Sequence, residues 1–342
     1  MRLAFDEIEE AVANTFSRIL EREATAERAR EAERNATGVD DQLWKMLVRA
    51  GALEVGIPTQ SESGGLLLAA IVSEMIGAHI APVPFSEIVS AQRLIARLED
   101  ENAGLLSEIA SGARVITITV ANGCNAAEPQ LVPAGTIADA TLVRATNAVW
   151  LHPRPGNVVK AETLDGGSSA FWTTTADGAQ RLASADVAEQ LWNRAEADVR
   201  VLTASELVGM AERAVAIAAE YARTRNQFGR LIGSYQGLSH PLADAVTAIE
   251  GARLLTRKAA WSVDTNDPEY EAIAAMAFVN AWEVSQKAVS HCLRVHGGYG
   301  FMSEYDIQLY YRRVKAAPLR IGSWPNEQSR TSNLIYGYGS RA

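Results

Sequence analysis

The strongest constraint on the fold is a hydrophobic periodicity that changes twice along the chain. Up to about residue 112, apolar residues recur at the three- and four-residue spacing of amphipathic helices. From Arg114 the chain carries short β-branched runs, such as RVITITVA and NVVKAETL, separated by Gly, Pro, Asn and Asp. Long helical patterns return from about Val199. The sequence therefore predicts a mainly α fold with a small β domain between two helical parts.

We predict three domains, with boundaries where the periodicity changes. Residues 1–112 form an N-terminal helical domain, 113–197 a small β domain and 198–342 a C-terminal helical bundle. A chain of 342 residues is long enough for this division, since domains commonly contain ~100–200 residues. The bundle is predicted from four long helices with short connections, over Leu202–Arg225, Leu238–Asp264, Pro268–His296 and Ser303–Arg320. Ser303 with Asp306 three residues later predicts a capping box for the last helix.

The N-terminal domain is predicted to contain several helices. Helical spacing extends from Phe5 to Arg34, and Asp40 or Asp41 is a suitable N-cap for a helix that ends at Gly51. The run LLLAAIVSEMIGAHIA predicts a buried helix that the segment PVPF terminates. Two more helices are predicted over Ser86–Leu98 and Asn102–Ser111.

Composition argues against several classes of function. The net charge of −9 and the lack of basic blocks disfavour nucleic-acid binding. The longest apolar stretch, GGLLLAAIV, is far shorter than the ~20 residues that span a bilayer, and the N-terminal segment lacks the pattern of a signal peptide. Cys124 and Cys292 show no zinc or redox spacing, which is typical of free thiols in a reducing compartment. We therefore expect a cytoplasmic protein that binds neither nucleic acid nor membrane.

Two short segments in the C-terminal part contain residues suited to an anionic or planar ligand. RTRNQFG, residues 223–229, offers Arg225 as a two-point donor to phosphate, with Gln227 and Phe228 as contacts to a ring. RVHGGYGF, residues 294–301, contains glycines that let a backbone approach a ligand closely. Each segment also has a purely structural explanation, because arginine and glycine are typical of helix C-termini. The residues alone favour the structural explanation for both.

Other reactive side chains show no pattern that indicates a site. His291 and His296 lie five positions apart, share a helix face poorly and have no Glu-x-x-His motif beside them, so we predict no metal site. None of the bundle serines considered is in a GxSxG motif, which disfavours a hydrolase; these are Ser205, Ser234 and Ser239.

Combined, these segments resemble the C-terminal domain of FAD-dependent acyl-CoA dehydrogenases. YARTRNQFGRLIGSYQGLSHPLADA and LRVHGGYGFMSEYDIQLYYRRVKAAPL agree with that family in order, spacing and residue type, over about Val199 to Gly322. LWKMLVRAGALEVGIPTQSESGG and IVSEMIGAHIAPVPF are similar to its N-terminal helical domain. The resemblance implies an N-terminal helical domain, a reduced middle β domain and a C-terminal four-helix bundle. It also implies FAD, an acyl-CoA substrate and, as electron acceptor, electron-transfer flavoprotein or a similar protein.

The resemblance also assigns cofactor-binding residues. In this family FAD lies across a dimer interface, where the bundle of one chain holds the adenosine and pyrophosphate of its neighbour's flavin. Matched by position, the implied contacts of this chain are Arg225, Gln227, Phe228, Gln236, Arg294, Gly297 and Gly298. Arg294 stands where the family usually has glutamine, and its guanidinium suits a phosphate or an adenine.

The resemblance breaks down in the middle of the chain. The family's β domain carries a Thr/Ser-Glu-Pro-Gly-x-Gly-Ser-Asp segment and a Trp-Ile-Thr/Ser segment that pack on the isoalloxazine ring. Neither is present between Arg114 and Ala197, where TVANGCNAAEPQ is at best a remnant of the first. We therefore expect another chain to supply the flavin platform.

The catalytic base of the family is also missing. Aligned with the family pattern, Ile321 takes the position of the usual glutamate. Some relatives carry the base on the first bundle helix, where this chain has Val199 beside Arg200. Removing an α-proton from an acyl-CoA requires a group that accepts a proton, and neither isoleucine nor valine does. We therefore predict that this chain has no catalytic residue of its own.

The sequence is interpreted as the shortened partner subunit of a heteromeric acyl-CoA dehydrogenase. The resemblance implies a full-length partner that supplies the catalytic glutamate, an α2β2 heterotetramer, and a bulky substrate such as a steroid side-chain acyl-CoA. Two alternatives stay open: a scaffold subunit without flavin contact, and a homomeric dehydrogenase with an unusual base. For the second alternative, Glu206 and Glu327 are the nearest carboxylates in sequence, and either is left open as a substitute.

Overall fold

The computed structural model describes residues 4–57, 65–98, 103–120, 128–145, 147–174 and 178–337. In the N-terminal part these residues form the helices α1 (Glu7–Glu23), α2 (Ala26–Arg34), α3 (Asp41–Arg49), α4 (Gly65–Ala78), α5 (Phe85–Ala96) and α6 (Ala103–Ala110). Helix α5 is buried continuously from Phe85 to Ile95, so its polar residues must find partners inside the protein.

Capping side chains explain where the first helices begin. The Asp6 carboxylate accepts a hydrogen bond from the Glu9 N–H at 2.8 Å, and the Glu9 carboxylate accepts from the Asp6 N–H at 2.9 Å. Thr25 Oγ1 accepts from the Arg28 N–H at 3.3 Å and so begins α2. The region of helical spacing from Phe5 to Arg34 therefore contains two helices, because a side-chain cap starts the second one at Thr25.

The third helix begins and ends as the sequence predicts. The Asp40 carboxylate accepts from the Leu43 N–H at 3.0 Å, which makes Asp40 the N-cap of α3. Gly51 follows the end of this helix with φ +88°, a left-handed conformation that glycine adopts without strain. Local capping chemistry therefore determines both boundaries of α3.

The middle of the chain forms two small sheets. One contains β1 (Ile116–Ile118), β3 (Ala140–Ala145), β4 (Ala148–Pro153) and β7 (Gln180–Ala183), ordered β1-β3-β4-β7, with β1 parallel to β3 and the other pairs antiparallel. The other contains β2 (Gln130–Val132), β5 (Val159–Lys160) and β6 (Ala170–Trp172), ordered β2-β6-β5 and antiparallel. The predicted small amount of β structure in the middle of the chain is confirmed. Most of the TVANGCNAAEPQ segment, with Cys124, lies outside the described residues.

The C-terminal part contains the helices α7 (Ala185–Thr224), α8 (Gln236–Asp264), α9 (Tyr270–His296), α10 (Ile307–Ala316) and α11 (Trp324–Tyr336). Helix α7 packs against α4, α8 and α9. Where α7 crosses α4, a Cβ at Gly209 would lie 1.9 Å from the carbonyl oxygen of Glu74, so this close approach requires glycine. The predicted mainly α architecture with a C-terminal helical domain is confirmed.

Buried ion pairs attach the N-terminal helices to this bundle. Arg93 of α5 donates to Asp198 of α7 at 3.1 Å and to Asp264 of α8 at 3.2 Å. The guanidinium of Arg97 also donates to the Asp198 carboxylate, at 2.6 Å. Burial disfavours the charge of Asp198, yet the two arginines lower the pKa of that carboxyl below its usual value. The three helices are therefore joined by charges that cannot separate without loss of stability.

The first and last helices of the bundle differ from their predicted ranges. Helix α7 begins at Ala185 rather than Leu202 and so runs across the predicted domain boundary at residues 197 and 198. The residues it adds include Asp198, whose buried ion pairs lie on distant helices and give no local signal. The division into three domains stays a prediction.

The predicted capping box at Ser303 is wrong. Helix α10 begins after Asp306, which has helical φ and no capping hydrogen bond. The Asp306 carboxylate instead accepts from Arg30 of α2 at 2.6 Å, and the Ser303 hydroxyl donates to Glu304 at 3.3 Å. The sequence patterns also do not predict α11, which begins immediately after Ser323.

Candidate functional site

A groove opens where the C-terminal end of α7, the start of α8 and the C-terminal end of α9 meet. Its volume is about 430 Å³. The side chains and backbone that line it come from these three places and are Tyr221, Arg225, Gln227, Phe228, Ile232, Tyr235, Leu238, Arg294, Val295, His296, Gly297, Gly298 and Tyr299. Six of the seven residues matched to cofactor contacts therefore lie at one groove. The seventh, Gln236, is exposed at the start of α8 and is not among the lining residues.

One wall of the groove is a tight hairpin that follows α7. Its strands are β8 (Asn226–Gln227) and β9 (Arg230–Leu231), and the two residues of its turn are Phe228, with φ +54°, and Gly229, with φ +80°. Two positive φ angles define a turn that favours Asn-Gly, and a bulky residue in the left-handed region costs ~1–2 kcal/mol. The Phe228 side chain is nevertheless 93% exposed. An unfavourable backbone that presents an apolar ring to solvent indicates a contact outside this chain.

The hairpin is held in place from its base. The Tyr235 hydroxyl donates to the Gln227 carbonyl at 3.2 Å, and the Ile232 N–H donates to the Arg225 carbonyl at 2.9 Å. The Arg230 guanidinium lies over the Tyr235 ring, 4.0 Å from its centroid. These contacts fix the direction in which the turn projects.

Two arginines give the groove a positive charge. The guanidinium of Arg225 lies 5.5 Å from the ring centroid of Tyr299, and Arg294 Nη2 donates to His291 Nδ1 at 3.3 Å. In the described part of the chain, no carboxylate lies within ion-pair distance of Arg225 or Arg294. Each retains N–H donors in the geometry that suits phosphate oxygens. The donors of the groove therefore fit an anionic ligand such as a pyrophosphate.

The opposite wall is a glycine turn that ends α9. Gly297 has φ +61°, and a Cβ at Gly297 or Gly298 would meet no protein atom within 4 Å, so bare backbone faces open space. Gly300 differs, because a Cβ there would lie 2.7 Å from the Leu293 carbonyl oxygen. The first two glycines leave room for a ligand at the groove, whereas the third is required by the fold.

The floor of the groove is aromatic. Tyr221 stacks on His296 with ring centroids 4.3 Å apart and an interplanar angle of 19°. His296 Nδ1 donates to the Cys292 carbonyl at 2.9 Å, and burial lowers the pKa of the His296 imidazole below its usual value. This histidine is therefore neutral at physiological pH and contributes a flat, uncharged surface.

The region around Ile321 and Val199, the two positions matched to the family's base, is closed. Ile321 is 4% exposed and Val199 is 8% exposed. Arg320, which precedes Ile321, donates to Glu87 of α5 at 2.6 Å and to Glu206 of α7 at 3.0 Å. The cavity beside Arg320 and Glu206 has a volume of about 50 Å³. That space accommodates a few water molecules, whereas ligand pockets typically measure ~300–1,000 Å³.

Both carboxylates considered as substitute bases are held by arginines. Burial raises the pKa of Glu206 above its usual value, although Arg320 opposes the shift, and the carboxylate points to that guanidinium. Glu327, in the first turn of α11, accepts from Arg200 at 2.8 and 3.0 Å and is 5% exposed. A base must reach the proton that it removes, whereas Glu206 lines the cavity of about 50 Å³ and Glu327 is buried against Arg200. The geometry therefore disfavours both substitutes.

The described residues also bear on metal binding and on membrane insertion. The described residues contain no group of three or more His, Cys, Asp or Glu side chains arranged to hold a metal ion. Among the helices of the described ranges, none combines the length and apolarity needed to cross a membrane.

Comparison with known proteins extends the similarity beyond the groove. Residues 194–324 match the acyl-CoA dehydrogenase C-terminal domain. The acyl-CoA dehydrogenase IpdE2 of Mycolicibacterium smegmatis is 29% identical over 333 residues, which cover 94% of this chain and 96% of that protein.

Solved structures show the same architecture over nearly the whole length. A chain of the Tcur3481-Tcur3483 steroid ACAD aligns with a TM-score of 0.86 and 25% identity, over 98% of this chain and 99% of that chain. A chain of the ChsE4-ChsE5 complex from Mycobacterium tuberculosis aligns with a TM-score of 0.84 and 27% identity, over the same shares of the two chains. These similarities include the N-terminal helices, the small sheets and the bundle together. Residues 194–324 therefore match the C-terminal domain of the acyl-CoA dehydrogenase family, and the chain as a whole is similar in sequence and fold to members of that family.

Proposed function

We propose that this chain is the accessory subunit of a heteromeric, FAD-dependent acyl-CoA dehydrogenase. Its groove would hold the pyrophosphate and adenosine of a flavin whose isoalloxazine ring rests on a full-length partner chain. The observation that carries the proposal is the contrast between two places in the bundle. The groove is open and contains two arginines for which the described residues provide no carboxylate partner, whereas the positions of the family's catalytic base are apolar and closed.

The residues of the groove fit FAD, the cofactor of the family. Arg225 and Arg294 would donate to the pyrophosphate, and the backbone of Gly297 and Gly298 would allow its close approach. Phe228, at the exposed tip of the hairpin, would lie against a flat ring of the cofactor or its platform. When bound, FAD supplies the hydride acceptor for acyl-CoA desaturation.

Proton removal would come from the partner. Desaturation also requires a carboxylate that takes the α-proton, and this chain has Ile321 and Val199 at the two family positions. Glu206 and Glu327 are committed to Arg320 and Arg200. The partner's glutamate would therefore serve the site that the two chains share. This division argues against a homomeric dehydrogenase with an unusual base.

The relatives support a substrate class and an assembly. Two solved structures that align over nearly the full chain are a steroid ACAD and a two-component complex. We infer a bulky steroid-type acyl-CoA as substrate, a heterotetramer with two copies of each chain, and an electron-transfer flavoprotein or similar protein as electron acceptor. A scaffold subunit without flavin contact would have no use for two unpaired arginines beside an exposed phenylalanine.

The proposal is tested by producing the chain alone and together with a full-length acyl-CoA dehydrogenase encoded beside it. The chain alone should be colourless and inactive, and the complex should be yellow and should desaturate acyl-CoA. Bound flavin with turnover by this chain alone would contradict the proposal.

The role of the groove is tested by Arg225→Ala in the complex. Loss of a charged donor to phosphate should weaken FAD binding by ~10-fold to 100-fold, measured by FAD titration of the deflavinated complex. Arg223→Ala is the matched control, because Arg223 lies two positions away, is exposed, pairs with Glu220 and does not line the groove. Equal FAD affinity in the two variants would remove the groove from the proposal.

A further inference from the structure

We infer that His291 is a positioning residue that aims Arg294 into the groove, so that Arg225 and Arg294 together form a two-guanidinium site for the cofactor pyrophosphate. The inference rests on the proposed function, since it concerns the same groove. His291 itself does not line the groove and would touch no cofactor atom. Its effect would be exerted through Arg294.

The hydrogen bonds of His291 determine its tautomer. His291 is 7% exposed on α9, and its Nε2 lies 3.1 Å from the carbonyl oxygen of Leu238 on α8. A carbonyl oxygen only accepts, so Nε2 carries the proton. The Leu238 contact also ties the end of α9 to the first turn of α8, which forms part of the groove wall. The imidazole is therefore fixed on one side by the backbone of a different helix.

The other ring nitrogen holds Arg294. Arg294 Nη2 lies 3.3 Å from His291 Nδ1, and a guanidinium only donates, so Nδ1 presents its lone pair. A doubly protonated imidazole would place an N–H against the guanidinium and could not make this contact. The neutral Nε2–H tautomer is thus the single form that satisfies both neighbours. A series of two hydrogen bonds therefore links the groove wall to one of the two cations of the groove. It runs from the Leu238 carbonyl through His291 to Arg294.

The contact matters because Arg294 has little else to hold it. Its side chain is exposed, and the described residues provide no carboxylate partner for it. A long flexible side chain loses rotamer freedom when it binds a ligand, and a contact that orders it beforehand reduces that loss. One hydrogen bond to a neutral acceptor directs the guanidinium without neutralising its charge. A carboxylate in place of His291 would attract the same guanidinium but would cancel the positive charge that a pyrophosphate requires.

Two substitutions of His291 each remove one of its two hydrogen bonds and keep the other. His291→Asn places an amide oxygen near the position of Nδ1, so the acceptor for Arg294 is kept and the Leu238 contact is lost. His291→Gln places an amide N–H near the position of Nε2, so the Leu238 contact is kept and the acceptor is lost. FAD titration of the deflavinated complex should show ~10-fold weaker binding for His291→Gln and less than ~3-fold for His291→Asn.

A double-substitution cycle tests the route through Arg294. In the Arg294→Ala background, His291→Gln should have no further effect on FAD affinity, because the group that it positions is absent. An equal loss in both backgrounds, or equal effects of the Asn and Gln variants, would show that His291 only supports the fold. The inference would then fail while the proposed function stands. Unchanged FAD affinity in both Arg225→Ala and Arg294→Ala would instead overturn the proposed function.

A measurement on unsubstituted His291 keeps the inference testable if its variants fold poorly. The chain has five histidines, so ¹⁵N-histidine labelling of the complex gives few signals. The imidazole ¹⁵N shifts should identify the neutral Nε2–H tautomer, and Arg294→Ala should shift the Nδ1 signal toward that of a free lone pair. The opposite tautomer, or an unchanged Nδ1 signal in Arg294→Ala, would overturn the inference.

Discussion

The groove and the region around Ile321 use the same residue type in opposite ways. In the groove, no carboxylate of the described residues pairs with Arg225 or Arg294, so their charge is available to a ligand. Near Ile321, Arg320 and Arg200 are each bonded to buried or largely buried carboxylates from other elements. An arginine whose donors are already satisfied by carboxylates supports the fold, and one without such partners indicates a ligand. This difference in charge pairing supports the proposal that the chain provides the cofactor-binding half of a shared site.

This difference predicts that substitutions near Ile321 will mainly lower stability, whereas substitutions in the groove will mainly weaken cofactor binding. Removing one member of a buried ion pair leaves an uncompensated charge and costs ~3–5 kcal/mol. Removing an exposed, unpaired arginine leaves nothing uncompensated, so it should affect ligand affinity with little change in stability. The predictions below test this separation, beginning with the largest effect.

Arg320→Ala should cause the largest loss of stability. It leaves the buried Glu87 and the largely buried Glu206 close together without a counter-charge, so the free energy of unfolding should fall by ~3–5 kcal/mol, measured by urea denaturation. Arg223→Ala, which breaks an exposed pair with Glu220, should change it by less than ~1 kcal/mol. If the two variants were equally stable, the closed region would not depend on its ion pairs.

Ile321→Glu should not create an active homomeric enzyme. The substitution restores a carboxylate at the family position, but this residue is 4% exposed and follows Arg320. Burial of the added carboxyl should lower the free energy of unfolding by ~2–4 kcal/mol, and acyl-CoA desaturation by the chain alone should stay undetectable. Ile321→Gln is the control of similar size without charge. Turnover by the glutamate variant alone would show that this region opens to substrate.

The sequence predicts what depends on neighbouring residues. The end of α7 at an arginine, the turn with Gly229 and the stop of α9 at Gly297 follow from capping and glycine chemistry within a few positions. The resemblance to the family implies that these segments share one cofactor site. The residues alone favour a structural explanation for each segment. The structure brings six of the seven matched residues together, and their contact with FAD stays a prediction.

The remaining features depend on long-range contacts that local patterns do not encode. Arg320 pairs with Glu87, which is 233 positions away, and with Glu206, which is 114 positions away. Arg200 pairs with Glu327 across 127 positions, and His291 contacts Leu238 across 53 positions. No periodicity or motif selects these partners, because tertiary packing decides which polar groups become buried together. The sequence therefore places Ile321 at the position matched to the family's base, but it does not predict the ion pairs that close the space around it.

Phe228→Asn should change the free energy of unfolding less than the substitutions above, and it should raise this free energy rather than lower it. Asparagine suits the left-handed conformation of the hairpin turn better than phenylalanine does, so the free energy of unfolding of the complex should rise by ~0.5–1 kcal/mol. FAD affinity should fall several-fold at the same time, because the ring that projects from the turn is lost. Phe228→Leu is the control, since it keeps an apolar side chain in the same unfavourable backbone and should leave the free energy of unfolding nearly unchanged. A stabilised Asn variant with full FAD affinity would mean that the strain at Phe228 serves something other than the cofactor. A variant that is both stabilised and weaker in binding would show that this turn retains an unfavourable residue for the contact it makes outside the chain.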